Sequence, residues 1–360
     1  MENRGKLTVL VGGQYGSEGK GAIAAHIANE YKCHVRVGSP NAGHTIYWNG
    51  EKHIMQSIPC GWINPDAVII IGRGALLNMK QFMKELVHIM QYYPKFLDRL
   101  IIDPEAGILD EKFHIEEGGT EGEMHKRIGS TGEGVGPARI ARLKRDKAEF
   151  HQFKDIAAEY GLEKCMIKNT PEHIAYLQDS GVNVLIEGTQ GSALSLLHSY
   201  YPYCTSIDTN AAGIISEVGI APARVTDVLL VCRTYPIRVA GNSGPMNNEI
   251  TWMELNNRLS AMGGNRIDPE KTTVTHKIRR IAEWDDELFN QSCLLNAPTQ
   301  IALTFVDYID PDLYGMSGTD GVRKIEESIR INSFLDAHGL RGKIDFFGTG
   351  PNSVIDMRRK

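Results

Sequence analysis

Leu7-Thr8-Val9-Leu10-Val11 runs directly into Gly12-Gly13-Gln14-Tyr15-Gly16-Ser17-Glu18-Gly19-Lys20-Gly21, and a helical pattern follows from Ala22 to Glu30. The apolar run predicts a strand buried on both faces, and the glycines after it predict a tight turn. Strand, glycine-rich loop and helix in that order bring backbone N–H groups and a helix N-terminus to one point, which suits a phosphate. Lys20 adds a point charge there. The spacing is not that of a Walker loop: the first glycine of that pattern falls on Gln14, and Gly21 stands where a Ser or Thr would hold magnesium. A G-x-G-x-x-G is also missing, which removes the support for dinucleotide binding. The bland alternative is a glycine-rich turn that only caps a buried strand.

Outward from this stretch, strands and helices alternate. His34-Val35-Arg36-Val37 reads as a second strand, followed by the polar loop Ser39-Pro40-Asn41-Ala42-Gly43-His44-Thr45 and a hairpin from Ile46 to Ile54. Val68-Ile69-Ile70-Ile71 reads as a buried strand. From Asn78 to Tyr93, Met79, Phe82, Met83, Leu86, Ile89 and Met90 recur at helical spacing and predict a core stripe rather than a ligand box. Arg99 to Asp103 and Val182 to Ile186 are further strands. The acidic, glycine-rich Glu116 to Glu123 predicts a solvated loop, and residues 146–178 a charged helical connection. This alternation predicts an α/β fold over residues 1–360 as a single large domain, with a central, mainly parallel β-sheet flanked by helices and a kinship to P-loop NTPases.

The bulk properties narrow the function classes. The 360 residues with 42% hydrophobic content support a full core. A net charge of −5 with both signs interspersed argues against general nucleic-acid binding. The six cysteines form no C-x-x-C pair, so they read as reduced thiols and not as a zinc site or disulfide framework. No run approaches the roughly 20 apolar residues of a membrane span, and the N-terminus lacks a signal-peptide pattern, so no membrane association and a cytoplasmic location, host cytoplasm if the source is viral, are expected.

Several further motifs combine with the opening loop. They are Asn41-Ala42-Gly43-His44-Thr45; Ile128-Gly129-Ser130-Thr131-Gly132-Glu133-Gly134-Val135-Gly136-Pro137-Ala138 with Arg139, Arg142, Lys144 and Arg145 after it; Glu187-Gly188-Thr189-Gln190-Gly191; and Tyr201-Pro202-Tyr203-Cys204-Thr205-Ser206. Beyond them lie Arg233 to Gly241, Thr272-Thr273-Val274-Thr275-His276-Lys277-Ile278-Arg279-Arg280, Leu303-Thr304-Phe305-Val306-Asp307 and Gly348-Thr349-Gly350-Pro351. Together they resemble the adenylosuccinate synthetase family along residues 7 to 351. That family joins aspartate to a 6-oxopurine nucleotide by first phosphorylating the 6-oxygen with a nucleoside triphosphate.

The resemblance implies roles. Lys20, His44 and Gln190 would be catalytic, with Ser17 at the position of the family's aspartate base. The triphosphate would meet Tyr15, Gly16, Ser17, Glu18, Gly19, Lys20, Gly21, Gly43, Thr45, Arg279, Phe305, Val306, Asp307, Gly348, Thr349 and Gly350. Asn41, Ser130, Thr131, Gln190, Thr205, Lys277 and Ser17 would hold the monophosphate, with Arg145 reaching in from the second subunit of a homodimer. Aspartate would lie against the stretch from Thr273 to Arg279, and Mg2+ against Ser17 and Gly43. A general acid suits His44, and a carboxylate clamp suits Arg279.

Five positions depart from the family pattern. Glu133 replaces an arginine, His276 a glycine, Lys277 an arginine, Phe305 a lysine and Ser17 the aspartate. A serine hydroxyl is a poor base and a weak metal ligand. The G-S-E-G-K-G form is similar to a viral branch of the family that uses dGMP, on the way to 2-aminoadenine DNA. The expected substrates are therefore dGMP, L-aspartate and ATP or dATP, with an ordinary IMP, aspartate and GTP enzyme as the alternative.

Overall fold

Residues Leu7–Gly12 form strand β1, every residue of it buried. The computed structural model describes residues 4–272 and 277–359. Eight further strands join β1 in one sheet: β2 (Cys33–Arg36), β3 (Val68–Ile71), β4 (Leu100–Ile102), β5 (Val184–Glu187), β6 (Asp227–Arg233), β7 (Gln300–Thr304), β8 (Phe346–Gly350) and β9 (Ser353–Asp356). Their order in space is β9-β8-β7-β6-β1-β5-β2-β3-β4. All neighbours are parallel except the β8–β9 pair at the edge. A sheet of this kind is covered by helices on both faces, which is why its strands read as continuous apolar runs.

The period of two sorts the strand residues into two cores. Leu10, Ile69, Ile71, Leu185 and Val231 pack on one side, with Ile23 and Ile27. Leu7, Val9, Val11, Val35, Ile70 and Ile186 pack on the other, with Ile214 and Val218. The helix after the glycine loop, α1, spans Lys20–His26 and starts where Gly19 takes a left-handed conformation at φ 88°. It is shorter than the sequence pattern predicts: the chain passes into a single 3-10 turn at Ala28–Glu30 so that it can enter β2 at Cys33. Helix α2, Met79–Tyr92, matches its predicted span and is capped by the Asn78 side chain. Its methionine-rich face is core, as the spacing predicts.

The acidic segment differs from expectation. It is two short helices, Glu111–Glu117 and Glu123–Ile128, joined by a 3-10 turn, and Glu117 is buried. A small three-stranded antiparallel sheet (Ile237–Arg238, Arg280–Ala282, Glu249–Ile250) carries the stem of the 272–280 stretch. All six cysteines are free thiols. Among the described residues no helix is long and apolar enough to cross a membrane.

Because Ile186 is fully buried in the central strand β5, Ile186→Ala should lower unfolding stability by about 2–5 kcal/mol. A denaturant titration followed by far-ultraviolet circular dichroism would check this. A loss near zero would mean the strand's packing contributes little.

Candidate active site

The functional loops leave the C-terminal ends of adjacent parallel strands, where open α/β sheets bind ligands. The 13–19 loop follows β1, the 37–43 loop follows β2, and the 188–191 loop follows β5. They touch. A Cβ on Gly191 would sit 2.3 Å from the Gln14 carbonyl oxygen, and one on Gly21 would sit 2.8 Å from the Thr45 carbonyl oxygen and 3.0 Å from the His44 Cβ. Only glycine permits these approaches. Gln190 is held in a left-handed conformation (φ 62°), and its side-chain oxygen lies 4.0 Å from where Gly16 would carry a Cβ. Lys20, His44 and Gln190 therefore gather at one place.

The glycine loop already holds an anion, supplied by the chain itself. Glu18 is fully buried. Its Oε1 accepts from the Gln14 and Gly16 N–H groups at 3.1 and 2.8 Å, and its Oε2 from the Lys20 ammonium at 2.6 Å. Both oxygens are engaged, so Glu18 is no free base. It orders the loop and neutralises Lys20, which would otherwise be a lone charge out of water. Ser17 is exposed, with φ 59°. Its carbonyl accepts from the Arg233 guanidinium at 3.2 Å.

Arg36 and Glu187 stand opposite one another in the β2–β5 register. Arg36 donates to Glu187 Oε1 at 2.9 Å, the Cys60 N–H donates to Oε2 at 2.7 Å, and His44 Nδ1 lies 2.6 Å from Oε1. A carboxylate only accepts, so His44 carries its proton on Nδ1 and presents a bare Nε2. Burial, and next the Arg36 charge, push the imidazole down to about 4. Burial alone would raise Glu187, but the His44 bond and Arg36 outweigh it and keep the carboxylate ionised. In the free protein His44 is thus neutral and oriented. The donor atoms of His44, Cys60 and Glu187 lie within 4.8 Å of one another. Arg36 already supplies the positive charge there, and both Glu187 oxygens are engaged by protein donors.

The 128–136 loop shows a second internal anion. Glu117 accepts from the Ser130 hydroxyl and from the Gly134 N–H, at the start of helix α3 (Val135–Lys144). Thr131 is half-buried beside it. Glu133 lines a polar cavity of about 300 Å³ together with Lys80, Lys84 and Pro40, and burial, with Glu117 nearby, raises its carboxyl above the usual range against the lowering effect of His114. The basic cluster separates into two roles. Arg139 pairs with Glu217, and Arg142 binds backbone carbonyls of Arg73 and Glu105, so both are structural. Arg145 is exposed at the end of α3, with φ 61°.

Arg233 joins three loops. Its guanidinium bonds Ser17 and Glu270 and lies 3.8 Å over the Phe305 ring. Asp307 follows, buried, with Oδ1 unpartnered among the described residues. Burial pushes its carboxyl up to about 7, with Arg233 lowering and Glu270 raising it. The side chain of Val306 is in the core, and the Thr349 hydroxyl is tied to the Met316 carbonyl at 2.7 Å. Only the backbone of these two is left to face a nucleotide, beside Gly348 and Gly350.

The remaining sequence candidates are placed as follows. Asn41 accepts from Ser39 at 2.8 Å, while Gly43 and Thr45 are exposed. The Thr205 N–H is anchored to the Leu194 carbonyl at 2.8 Å. Tyr15 lies under the Arg238 guanidinium at 4.5 Å. Lys277 Nζ lies 3.1 Å from His125 Nε2, tying the 272–280 stretch to the 119–131 segment. The Arg279 N–H donates to the Glu270 carbonyl at 2.8 Å, and Ile278 is exposed. Thr273, Val274, Thr275 and His276 lie outside the described residues. For Mg2+, the exposed Ser17 hydroxyl and Gly43 carbonyl are hard oxygen donors of the right kind; both are neutral, so substrate phosphates and water would complete the shell.

Sequence reasoning passed over Arg36, Glu187, Glu117, Arg233 and Glu270. The signal for the first two was present: each is a charged residue inside or ending an otherwise apolar strand, which demands a buried partner.

The geometry is that of an enzyme acting on phosphorylated nucleotides, and its class is a ligase that forms a carbon–nitrogen bond. The adenylosuccinate synthetase family model matches residues 9–165 and 145–312. The adenylosuccinate synthetase of Archaeoglobus fulgidus is 35% identical over 369 residues, covering 98% of both chains. That of Methanocaldococcus jannaschii is 36% identical over 360 residues, covering 98% of this chain and 97% of its own. This chain belongs to the adenylosuccinate synthetase family. Among solved structures, the cyanophage S-2L succinoaminodeoxyadenylate synthetase, bound to dGMP and to dATP as energy donor, superimposes with a TM-score of 0.80 at 26% identity, covering 98% of this chain and 95% of that one. The fully ligated Plasmodium falciparum adenylosuccinate synthetase shares the fold, with a TM-score of 0.79 at 22% identity, covering 98% of this chain and 100% of that one.

Glu187→Gln keeps the shape but removes the charge that orients His44. It should lower kcat by a factor of about 10² while leaving nucleotide KM within a few-fold. Steady-state kinetics would check this, and an unchanged kcat would separate Glu187 from the chemistry.

Proposed function

We propose that this enzyme joins L-aspartate to the 6-position of dGMP, with ATP or dATP as phosphoryl donor, to give the 2-amino-N6-succinyl deoxyadenylate. The observation that carries the choice of dGMP is Ser17. It is a short, exposed side chain in the glycine loop where the family has an aspartate, next in sequence to Gly16, whose Cβ position lies 4.0 Å from the Gln190 side-chain oxygen. The cyanophage neighbour, which holds dGMP and dATP, supports the same choice. Phe305 in place of lysine favours an adenine donor, and Lys277 in place of arginine fits a sugar without a 2′-hydroxyl.

The chemistry follows from the groups. A 6-oxo oxygen is a poor leaving group, so it first attacks the γ-phosphorus of the donor: the new O–P bond forms as the bond to the β-phosphate oxygen breaks, ADP or dADP leaves, and the purine N1 proton passes to solvent water. Gln190 orients the purine, while Lys20 and the loop N–H groups hold the phosphates. Ser17 and Gly43 would hold Mg2+, which would supply charge neutralisation when bound. The incoming phosphoryl charge raises the proton affinity of His44 Nε2, and Glu187 on the other nitrogen stabilises the imidazolium, so His44 becomes an acid only in the complex. The aspartate amine then attacks C6: a C–N bond forms, the C–O bond breaks, and phosphate leaves. Arg279 and Lys277, with Thr273, Val274, Thr275 and His276, would clamp the aspartate carboxylates. Exposed Arg145 would complete the monophosphate site of the second copy in a homodimer, with Asn41, Ser130, Thr131 and Thr205 on the near side.

A second reading, IMP with GTP, is favoured by one observation: the archaeal adenylosuccinate synthetases are 35% and 36% identical to this chain, above the cyanophage enzyme at 26%. A substrate panel decides. Purified enzyme with aspartate, Mg2+, dGMP or IMP, and each of ATP, dATP and GTP should give the succinyl product from dGMP by mass spectrometry. Product from IMP alone would replace the first reading with the second.

Two variants extend the test. His44→Ala should cut turnover by about 10² or more with nucleotide affinity retained. Ser17→Asp, tolerable because aspartate accepts a left-handed backbone, should shift kcat/KM toward IMP; a shift the other way would remove Ser17 from substrate selection.

A further inference from the structure

Glu85 is a carboxylate on the inward face of α2, beside the core residues Phe82 and Leu86, with 4% of its surface exposed. Its partners are backbone amides of the segment that follows the hairpin. Oε1 accepts from the Gln56 N–H at 2.8 Å, and Oε2 from the Ile58 N–H at 3.0 Å. The Ser57 N–H lies 3.3 Å from the first oxygen and 3.1 Å from the second. The Gln81 side-chain amide adds a donor at 3.3 Å. Three successive amides thus converge on one buried acid, which suits an anion.

The segment that Glu85 grips runs between the parts of the His44 cluster. Met55, the residue before Gln56, is paired with His44 across the hairpin. The Ile58 carbonyl accepts from Arg36 Nη1 at 3.5 Å, the nitrogen that also donates to Glu187, and the Cys60 N–H donates to Glu187 Oε2. The Gln56 side chain donates to the Pro40 carbonyl, which ties in the loop that carries Asn41 and Gly43. Residues 56–59 belong to no strand or helix. Pro59 has no N–H, so every N–H from residue 56 to residue 60 ends on one of two buried carboxylates, Glu85 or Glu187.

We infer that Glu85 is a positioning residue for the reaction: it holds residues 56–60 so that the Cys60 N–H and Arg36 fix the Glu187 carboxylate that orients His44. Glu85 is not assigned any contact with substrate, so its effect on turnover passes through Glu187. The inference rests on the roles of His44 and Glu187 in the ligase reading and on no choice between dGMP and IMP. A carboxamide at position 85 would turn its NH2 group toward a backbone N–H, donor against donor, and release part of the segment.

A double-mutant cycle tests the coupling. With whichever monophosphate is converted, Glu85→Gln should lower kcat about tenfold and leave KM for both nucleotides within about twofold. In the Glu187→Gln background the same substitution should cost less than about twofold, because the group it acts through is already gone. Ile89→Ala, one turn along the same buried face of α2, is the control: it should lower stability yet leave kcat within about twofold. Equal kcat losses in both backgrounds, or a loss as large from Ile89→Ala, overturn the inference. Hydrogen exchange over residues 56–60, read by mass spectrometry, needs no turnover. It should be at least about tenfold faster in Glu85→Gln than in Ile89→Ala, and equal exchange also overturns the inference. Where Glu85→Gln does not fold, Glu85→Asp, whose carboxylate is one methylene short of the amides, enters the same cycle with the same outcomes. Additive losses in an enzyme that makes the succinyl product overturn this inference and spare the ligase reading, whereas absence of product from either monophosphate overturns both.

Discussion

One buried carboxylate, Glu187, fixes the relation between the sheet and the chemistry. Three partners converge on it: a guanidinium from the adjacent strand, a backbone N–H from the segment after the hairpin, and the imidazole of His44. A buried charge of this kind is costly unless each oxygen is satisfied, and removing one partner from such a cluster typically costs about 3–5 kcal/mol. The fold therefore cannot move the histidine without breaking the end of β5. That is why His44, the first residue of a hairpin strand and paired there with Met55, is held well enough to act on a transferring group.

The same device recurs in two glycine-rich loops. Glu18 lies in the cradle of N–H groups after β1, and Glu117 lies at the start of α3. Each satisfies donors that would otherwise point at one another or at water. These two carboxylates occupy the Gln14, Gly16 and Gly134 amides and fix the shape of each loop, so a phosphate would meet the remaining N–H groups of a loop already ordered. Arg233 then links the turn after β7, the glycine loop and Glu270, just before the 272–280 stretch, into one unit.

Much of the fold was legible because its strands are continuous apolar runs and α2 has a clean helical stripe; the glycine loop, the hairpin and the Gln190 loop were readable for the same reason. What the residues could not reveal was pairing. Arg36 and Glu187 stand out as charges in apolar strands, but they lie 151 residues apart, and only the parallel register brings them together. Glu117 was hidden by a glycine-rich, acidic neighbourhood that reads as solvated, whereas the need to occupy the α3 N-terminus buries it. The helix after the glycine loop was overestimated because periodicity does not sense the chain's turn into β2.

The central claim is that the purine 6-oxygen leaves as part of a phosphate ester. It is tested most directly by turning over nucleotide labelled with heavy oxygen at the 6-position, in the presence of aspartate and triphosphate, and weighing the released phosphate by mass spectrometry. The account predicts that each phosphate carries one labelled oxygen. Unlabelled phosphate, with the label found in water, would contradict it.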